Sequence, residues 1–207
     1  MVNIVKNRFL ELFHTLEGSE VFFSPGRVNI IGEHIDYNGG YVMPCAINLG
    51  TYFVVRLNNT SKVNAYSMQF ENLGVVSFDV NDETHTHTYV DFIKGVMKIL
   101  NIHVGFDMVC LGTIPHSSGL SSSASFSTGI GYALSYLTNN LVDGTKLALA
   151  CQRVENEYMG VNCGIMDQFI ICNGKDNKAL LLDCNSLKYE EIPFVLGDNV
   201  LVIAGTN

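Results

Sequence analysis

The chain has 207 residues, 47% of them hydrophobic, and a net charge of −8. That length suits a folded domain with a sizeable core, and the composition excludes disorder as the main state. The acidic balance argues against nucleic acid as the main partner, because phosphate binding by bulk electrostatics needs a basic face. No apolar run approaches the ~20 residues of a membrane span, so we also expect no membrane association.

The predicted elements form a mixed α and β pattern along the chain. Helices are predicted at 3–16, 89–100, 120–138 and 144–158. Strands are predicted at 20–24, 28–31, 41–57, 62–67, 74–80, 105–111, 168–172, 179–183, 187–192 and 199–204. Runs of strands with clustered helices favour an α+β fold, with an antiparallel or mixed sheet and helices on one face.

The cysteines and the N-terminal segment bear on location. Arg8 and Glu11 interrupt any signal-peptide core. The six cysteines form no Cys-x-x-Cys pair and no zinc-type spacing. We therefore expect reduced thiols and a cytoplasmic protein.

The first candidate for chemistry is SPGRVNIIGEHIDYNGGYVMP, residues 24–44. A compact polar run at 33–38 lies between two strands, and its carboxylates suit a ligand rich in hydroxyl groups. Arg27 is always charged and can hold an anion or stabilise a developing alkoxide. The alternative is a solvated hairpin loop.

The second candidate is TIPHSSGLSSSASFSTGIGYAL, residues 113–134, between a strand and a helix. Small side chains let a phosphate approach backbone N–H groups at a helix N-terminus, where the helix dipole favours negative charge. The segment is not a Walker P-loop. The alternative is a serine-rich capping loop.

The third candidate is CQRVENEYMGVNCGIMDQF, residues 151–169. Glu155 is predicted at a helix end, and together with a serine hydroxyl it could complete a Mg²⁺ shell. Asp167 is predicted in the following loop, in an apolar setting that suits a general base. The alternative is an ordinary helix-end Glu and turn Asp. Together the three segments predict phosphoryl transfer to a sugar.

The same residues carry a resemblance to a known family. GRVNIIGEHIDYNGGYVMP, GLSSSAS and CGIMDQF resemble, in family order, the motifs of galactokinases. These belong to a superfamily of small-molecule kinases (GHMP kinases) that includes homoserine, mevalonate and phosphomevalonate kinases. The similarity runs from about residue 20 to the end.

The resemblance implies an activity and its residues. The activity is transfer of the ATP γ-phosphate to the C1 hydroxyl of galactose, giving α-galactose 1-phosphate and ADP, as in galactose metabolism by the Leloir pathway. Arg27 would stabilise the transition state, and Asp167 would take or orient the C1-hydroxyl proton. The implied sugar-binding residues are Glu33, His34, Ile35, Asp36 and Gly164. The implied ATP-phosphate residues are Ser117, Ser118, Gly119, Leu120, Ser121, Ser122 and Ser123. The implied Mg²⁺ ligands are Ser123 and Glu155.

The resemblance also implies the architecture. Residues 1–207 would be the N-terminal substrate- and ATP-binding domain, with a fold like domain 2 of ribosomal protein S5. The family's C-terminal domain is absent, and the sequence here reads as a piece of a longer protein. Half of an interdomain cleft leaves bound substrates exposed to water, so we expect little or no activity from these residues alone.

Two departures and three alternatives accompany the resemblance. Ser117 and Ser118 stand where the family usually has glycines, and Ile35 stands where threonine is usual. A related non-catalytic sensor binds galactose and ATP, but it lacks part of the Ser-Ala-Ser segment that is intact here at 123–125. N-acetylgalactosamine kinase and arabinose kinase share the framework and remain alternatives.

Overall fold

The structure is a computed structural model that describes residues 1–115 and 118–204. Helices and strands alternate in blocks, which confirms the predicted α+β class. The helices are α1 (Val2–Phe13), α2 (Val90–Ile99), α3 (Ser122–Leu137), α4 (Gly144–Arg153) and α5 (Met166–Asn173). The strands are β1 (Glu20–Asn29), β2 (Tyr41–Val42), β3 (Pro44–Leu57), β4 (Lys62–Ser67), β5 (Val76–Asp79), β6 (Phe106–Gly112), β7 (Lys178–Asp183) and β8 (Tyr189–Pro193).

The strands form one mixed sheet, as predicted. Its main path is β2-β7-β3-β6-β4-β5, with β1 paired to β3 and β8 paired to β7. The β4–β6 pair is parallel and the other pairs are antiparallel. The long β3 strand therefore lies against both β1 and β6, and it connects the two parts of the chain that carry the first two motifs.

The helices cover both faces of this sheet, whereas the prediction placed them on one face. Alternate residues of a strand point to opposite faces. Phe53 packs in a cluster with residues of α2 and α3, whereas its neighbour Val54 packs with Val5 and Phe9 of α1. Helices α4 and α5 pack beside α3, so within residues 1–115 and 118–204 four helices share one layer and α1 is the only helix on the other face.

Two predicted strands and several boundaries are wrong. Residues 168–172 lie in α5, where Phe169 and Ile170 are buried against β7. A short apolar run does not distinguish a buried strand from a buried helix. Residues 199–204 form no strand. The predicted strands at 20–24 and 28–31 form a single β1, and the helix predicted at 144–158 ends at Arg153 and continues as a π-helical turn over 154–158.

None of the helices in the described part of the chain combines the length and the hydropathy needed to traverse a bilayer.

The position of α1 can be tested by truncating its buried face. Phe9→Ala should lower the free energy of unfolding by about 3–5 kcal/mol, because a fully buried ring is removed. Urea denaturation of the 207-residue chain measures this change. The adjacent Leu10, which is 44% exposed, provides the matched control, and Leu10→Ala should cost less than about 1 kcal/mol. Equal losses of unfolding free energy in the two variants would mean that α1 does not pack on the sheet.

Candidate active site

Arg27 and Asp167 form a bidentate ion pair between β1 and the first turn of α5. Arg27 Nε donates to Asp167 Oδ1 at 2.7 Å, and Nη2 donates to Oδ2 at 3.1 Å. The Ser121 hydroxyl, at the N-terminus of α3, donates to the same carboxylate. One residue from each of the three motifs therefore meets at one point. Asp167 itself lies in a helix rather than in the predicted loop.

Gly26 lets the serine-rich loop lie directly on β1. A Cβ at Gly26 would come within 2.9 Å of the Leu120 carbonyl oxygen. The pairing of β1 with β3 also slips at this position, from Pro25 opposite Gly50 to Arg27 opposite Ala46. With no side chain in the way, the Arg27 N–H donates to the Leu120 oxygen at 3.3 Å.

The serine-rich loop turns sharply into α3. Ser121 has a φ of 61°, in the left-handed region, and α3 begins at the next residue. Arg27 Nη1 donates to the Gly119 carbonyl, and the Ser118 hydroxyl turns back to the Pro115 carbonyl at 2.8 Å. The predicted Ser117 lies outside the described residues. The first N–H groups of α3 remain a suitable site for an anion.

Two predicted sugar-binding residues, Asp36 and Gly164, lie against each other. A Cβ at Gly164 would be 1.9 Å from Asp36 Oδ2, so only glycine fits beside this carboxylate. Asp36 opens a short 3-10 turn over Asp36–Asn38, and Gly164 comes two residues before α5. This contact joins the polar loop of the first motif to the segment that carries Asp167.

The other three predicted sugar-binding residues lie further out on the same loop. Glu33 and His34 are exposed, and Glu33 accepts a hydrogen bond from Asn29 Nδ2 at 2.9 Å. Ile35 packs against Gly40, so its side chain supports the loop. Among the described hydrogen bonds, none joins Glu33 or His34 to the Arg27–Asp167 pair.

Glu155 is buried in the π-helical turn that follows α4. Its exposure is 5%, and burial raises the pKa of its carboxyl group, with the charge on Asp167 acting in the same direction. A hydrogen bond from the Ser123 side chain acts in the opposite direction. The structure thus brings together the two residues predicted as Mg²⁺ ligands. A buried carboxylate beside a hydroxyl is a set of hard oxygens that suits Mg²⁺.

The backbone of Cys163 is hydrogen-bonded to two amide side chains, a contact that the sequence did not reveal. Its N–H donates to Asn156 Oδ1 at 2.9 Å, and its carbonyl accepts from Gln152 Nε2 at 3.3 Å. Burial raises the pKa of the Cys163 thiol to about 11, with nearby Glu155 and Asp167 adding to the shift. The segment before α5 is therefore fixed to the α4 region by side-chain amides.

A cavity of about 270 Å³ lies beside the N-terminus of α3. Ser122 and Ser123 form one wall, and the walls also include Gln69, Tyr89 and Phe92. Tyr89 and Phe92 lie within the helix predicted at 89–100, where their spacing indicates one apolar face. Helical periodicity indicates which residues share a face, but it does not reveal a gap in the packing over that face.

Comparisons with known proteins agree with this geometry. The family model described as "Galactokinase galactose-binding signature" matches residues 7–57, and the model "GHMP kinases N terminal domain" matches residues 91–175. Galactokinases from Clostridium perfringens and Clostridium beijerinckii are each 45% identical to the whole chain. Over its whole length the chain matches the N-terminal part of galactokinases. It spans about half of the length of these curated relatives, 55% and 54% respectively.

A solved structure supports the same assignment. The crystal structure of Lactococcus lactis galactokinase complexed with galactose has a TM-score of 0.91 and 43% identity, covering 95% of this chain and 53% of that one. Methanococcus jannaschii mevalonate kinase, with a TM-score of 0.70 and 22% identity, shares the fold. The expected GHMP kinase fold is thereby confirmed.

The raised pKa of Glu155 predicts how stability changes with pH. Folding disfavours the charged carboxylate, so the wild type carries a penalty above the folded-state pKa, and the penalty is relieved as pH falls through that value. In metal-free buffer at about pH 8, Glu155→Gln should therefore unfold at a higher urea concentration than the wild type. The difference between the two urea midpoints should become smaller toward about pH 5.

Glu157 in the same turn is the matched control. It is exposed, and its hydrogen bond from Arg153 lowers its pKa, so Glu157→Gln should leave stability unchanged or reduce it at high pH. A wild type more stable than Glu155→Gln at pH 8 would contradict the buried position of Glu155.

Proposed function

We propose that the whole protein transfers the γ-phosphate of ATP to the C1 hydroxyl of galactose, giving α-galactose 1-phosphate and ADP. The observation that carries this proposal is the contact of Asp167 with both Arg27 and Ser121. It places an acidic group, a fixed positive charge and a helix N-terminus within one hydrogen-bonded unit. Phosphoryl transfer needs these parts, because it depends mainly on positioning and charge neutralisation.

Asp167 and Arg27 act on the sugar oxygen. The Asp167 side chain is 29% exposed, so part of its carboxylate is open to a ligand. An ionised carboxylate only accepts hydrogen bonds, so it binds the C1 hydroxyl through the proton and orients that oxygen for attack. Arg27 holds the carboxylate in place through Nε and Nη2. Its positive charge stabilises the negative charge that develops in the transition state.

ATP binds at the N-terminus of α3. The N–H groups over Ser121–Ser123 receive the phosphates, and the apolar cavity beside them takes the adenine ring. Ser123 and Glu155 would hold Mg²⁺, which would neutralise phosphate charge when bound. Among the described residues, no three His, Cys, Asp or Glu side chains form a cluster that could hold a metal ion.

The sugar hydroxyl groups bind to the polar loop of the first motif. Asp36 lies against Gly164 and beside the segment that carries Asp167, so it reaches a sugar held at the Asp167 carboxylate. Glu33 and His34, on the exposed side of the loop, contact the opposite side of the same sugar. Carboxylates and imidazole suit this role because sugar hydroxyls both donate and accept hydrogen bonds.

The remaining part of the protein closes this site. Several apolar side chains in and around the polar loop are more than half exposed, namely Ile31, Tyr37, Tyr41 and Val161. Exposed apolar side chains of this number around a polar site indicate an interaction surface. We infer that the 207-residue chain is the N-terminal, substrate-binding domain of a longer enzyme and that it has little activity alone. We also propose that this enzyme is cytoplasmic, as its reduced cysteines suggest.

The main alternative is a sensor that binds galactose and ATP without catalysis. The contact between Ser121 and Asp167 favours the enzyme, because binding alone does not require an acidic group at the phosphate end of the sugar.

Replacement of Asp167 tests this function directly. In the complete product of the reading frame, Asp167→Asn should lower kcat by about 10²–10⁴-fold, because the amide cannot accept a proton, while sugar binding is largely kept. A coupled ADP-release assay measures kcat. The matched control is Asp176→Asn, at an exposed position in the loop after α5, which should keep wild-type activity. A sensor would show no turnover in the wild type and would keep sugar-dependent partner binding in the Asp167→Asn variant.

A panel of sugars and two chain lengths test the substrate and the domain assignment. Galactose, N-acetylgalactosamine and arabinose should be compared at equal concentration, and we expect the highest kcat/KM with galactose. The 207-residue chain should show less than about 1% of the activity of the complete product, because half of the site faces water. Robust turnover by the short chain would show that these residues suffice.

A further inference from the structure

Four buried hydroxyl groups lie where α3 meets the sheet. Ser24 on β1, Thr51 on β3, and Ser125 and Thr128 on α3 are all 5% exposed or less. Ser24, Ser125 and Thr128 are not among the residues proposed to bind sugar, ATP or Mg²⁺, whereas Thr51 also lines the cavity proposed for adenine. Burying a hydroxyl group is costly unless it is hydrogen-bonded, so each of these four groups should have a hydrogen-bond partner.

The Ser125 hydroxyl connects β3 to β1. It donates to the Ser24 carbonyl at 2.8 Å and lies 3.0 Å from Thr51 Oγ1. A hydroxyl has a single proton, and that of Ser125 is used by the Ser24 carbonyl. Thr51 is therefore the donor to Ser125, and the chain of hydrogen bonds runs from β3 through α3 to β1.

The Ser24 hydroxyl makes a second connection in the opposite direction. Thr128 Oγ1 donates its proton to the Ala124 carbonyl of its own helix at 2.6 Å. The 3.1 Å contact between Ser24 and Thr128 then has Ser24 as the donor. Helix α3 thus binds both the carbonyl and the hydroxyl of Ser24, which fixes the helix along β1.

The packing around these hydrogen bonds is close. A Cβ at Gly129 would lie 2.8 Å from the Cβ of Ser24 and 2.3 Å from the ring of Phe53. Glycine at this position lets α3 approach the strands near enough for short hydroxyl side chains to reach them. The helix has little room to slide while this contact is kept.

Both ends of the network lie close to the reacting groups. Ser24 precedes Arg27 by three residues on β1. The Ser125 N–H donates to the Ser121 carbonyl at 2.9 Å, and the Ser121 hydroxyl contacts Asp167. The Ser125–Ser24 hydrogen bond therefore connects the strand that carries Arg27 with the first turn of the helix that we propose binds ATP.

We propose that Ser125 is a positioning residue that sets the separation between Arg27 and the N-terminus of α3. The proposal rests on the proposed kinase function, since the separation of Arg27 from the α3 N-terminus would set the distance between the sugar oxygen and the phosphate. Ser125 does not touch either substrate. It acts by holding one wall of the site against the other.

The test compares Ser125→Ala with Ser127→Ala in the complete product of the reading frame. Ser127 lies on the same helix and is equally buried, but its hydroxyl donates to the Ala124 carbonyl of its own helix at 3.3 Å. Ser125→Ala should lower kcat by about 10- to 100-fold, because misplacement by a fraction of an ångström is costly to transfer. The KM for galactose should stay within about threefold, because the sugar-binding loop is not moved. Ser127→Ala should change neither constant by more than about threefold.

A second measurement does not depend on activity. The Arg27 N–H donates to the Leu120 carbonyl, so its hydrogen exchange reports contact between β1 and the serine-rich loop. Exchange at Arg27 should be faster in Ser125→Ala than in Ser127→Ala at matched global stability. Equal exchange and equal kcat in the two variants would overturn the positioning role.

The outcomes separate the two proposals. A wild type without turnover contradicts the kinase function, and the exchange result alone then decides the role of Ser125. If Ser125→Ala does not fold, Ser125→Cys replaces it, because a thiol is a weaker hydrogen-bond donor of similar shape and weakens the bond to the Ser24 carbonyl. Ser125→Cys should then show a smaller loss of kcat with unchanged KM, and wild-type kcat in that variant would overturn the proposal.

Discussion

The site depends on one ion pair between residues 140 positions apart in the sequence, Arg27 and Asp167. A guanidinium group that binds a carboxylate through two nitrogens fixes both distance and orientation, which a lysine would not do. Arg27 can reach Asp167 only if β1, the serine-rich loop and α5 are all in place. The fold therefore brings together two residues that no short sequence motif could contain. The remaining candidate residues are arranged around this ion pair.

Because the protein is acidic overall, the proposed nucleotide site must attract phosphates through groups in its immediate surroundings. With a net charge of −8, and with Glu155 and Asp167 close enough for their charges to interact, the general field repels a polyphosphate. Backbone N–H groups at a helix N-terminus attract anions without adding a charged side chain. The buried Glu155 adds a cost that a divalent cation would relieve, so binding of the cation and of the phosphates should reinforce each other.

The sequence motifs contain residues that the structure brings together, whereas the elements that carry these residues were predicted less well. Arg27, Asp167 and Ser121 were found because their neighbours form recognisable motifs, and the structure brings the three together. Helix α5 was missed because an eight-residue helix with an apolar run has too short a pattern to distinguish it from a strand. The cavity beside α3 and the hydrogen bonds of Cys163 were missed because they depend on contacts between distant segments.

Backbone contact, more than side-chain length, sets the dimensions of the site. Gly26 lets the Leu120 carbonyl approach β1, and Gly164 lets the Asp36 carboxylate lie against the segment before α5. A larger residue at either position would displace a whole segment, because the atom that it meets is a backbone oxygen or a carboxylate held in a turn. Long side chains can adjust to small errors, but a helix N-terminus and a strand cannot. We therefore expect the separation between the proposed sugar and nucleotide sites to depend on close contact at the glycines and on the buried hydroxyl groups between α3 and the sheet.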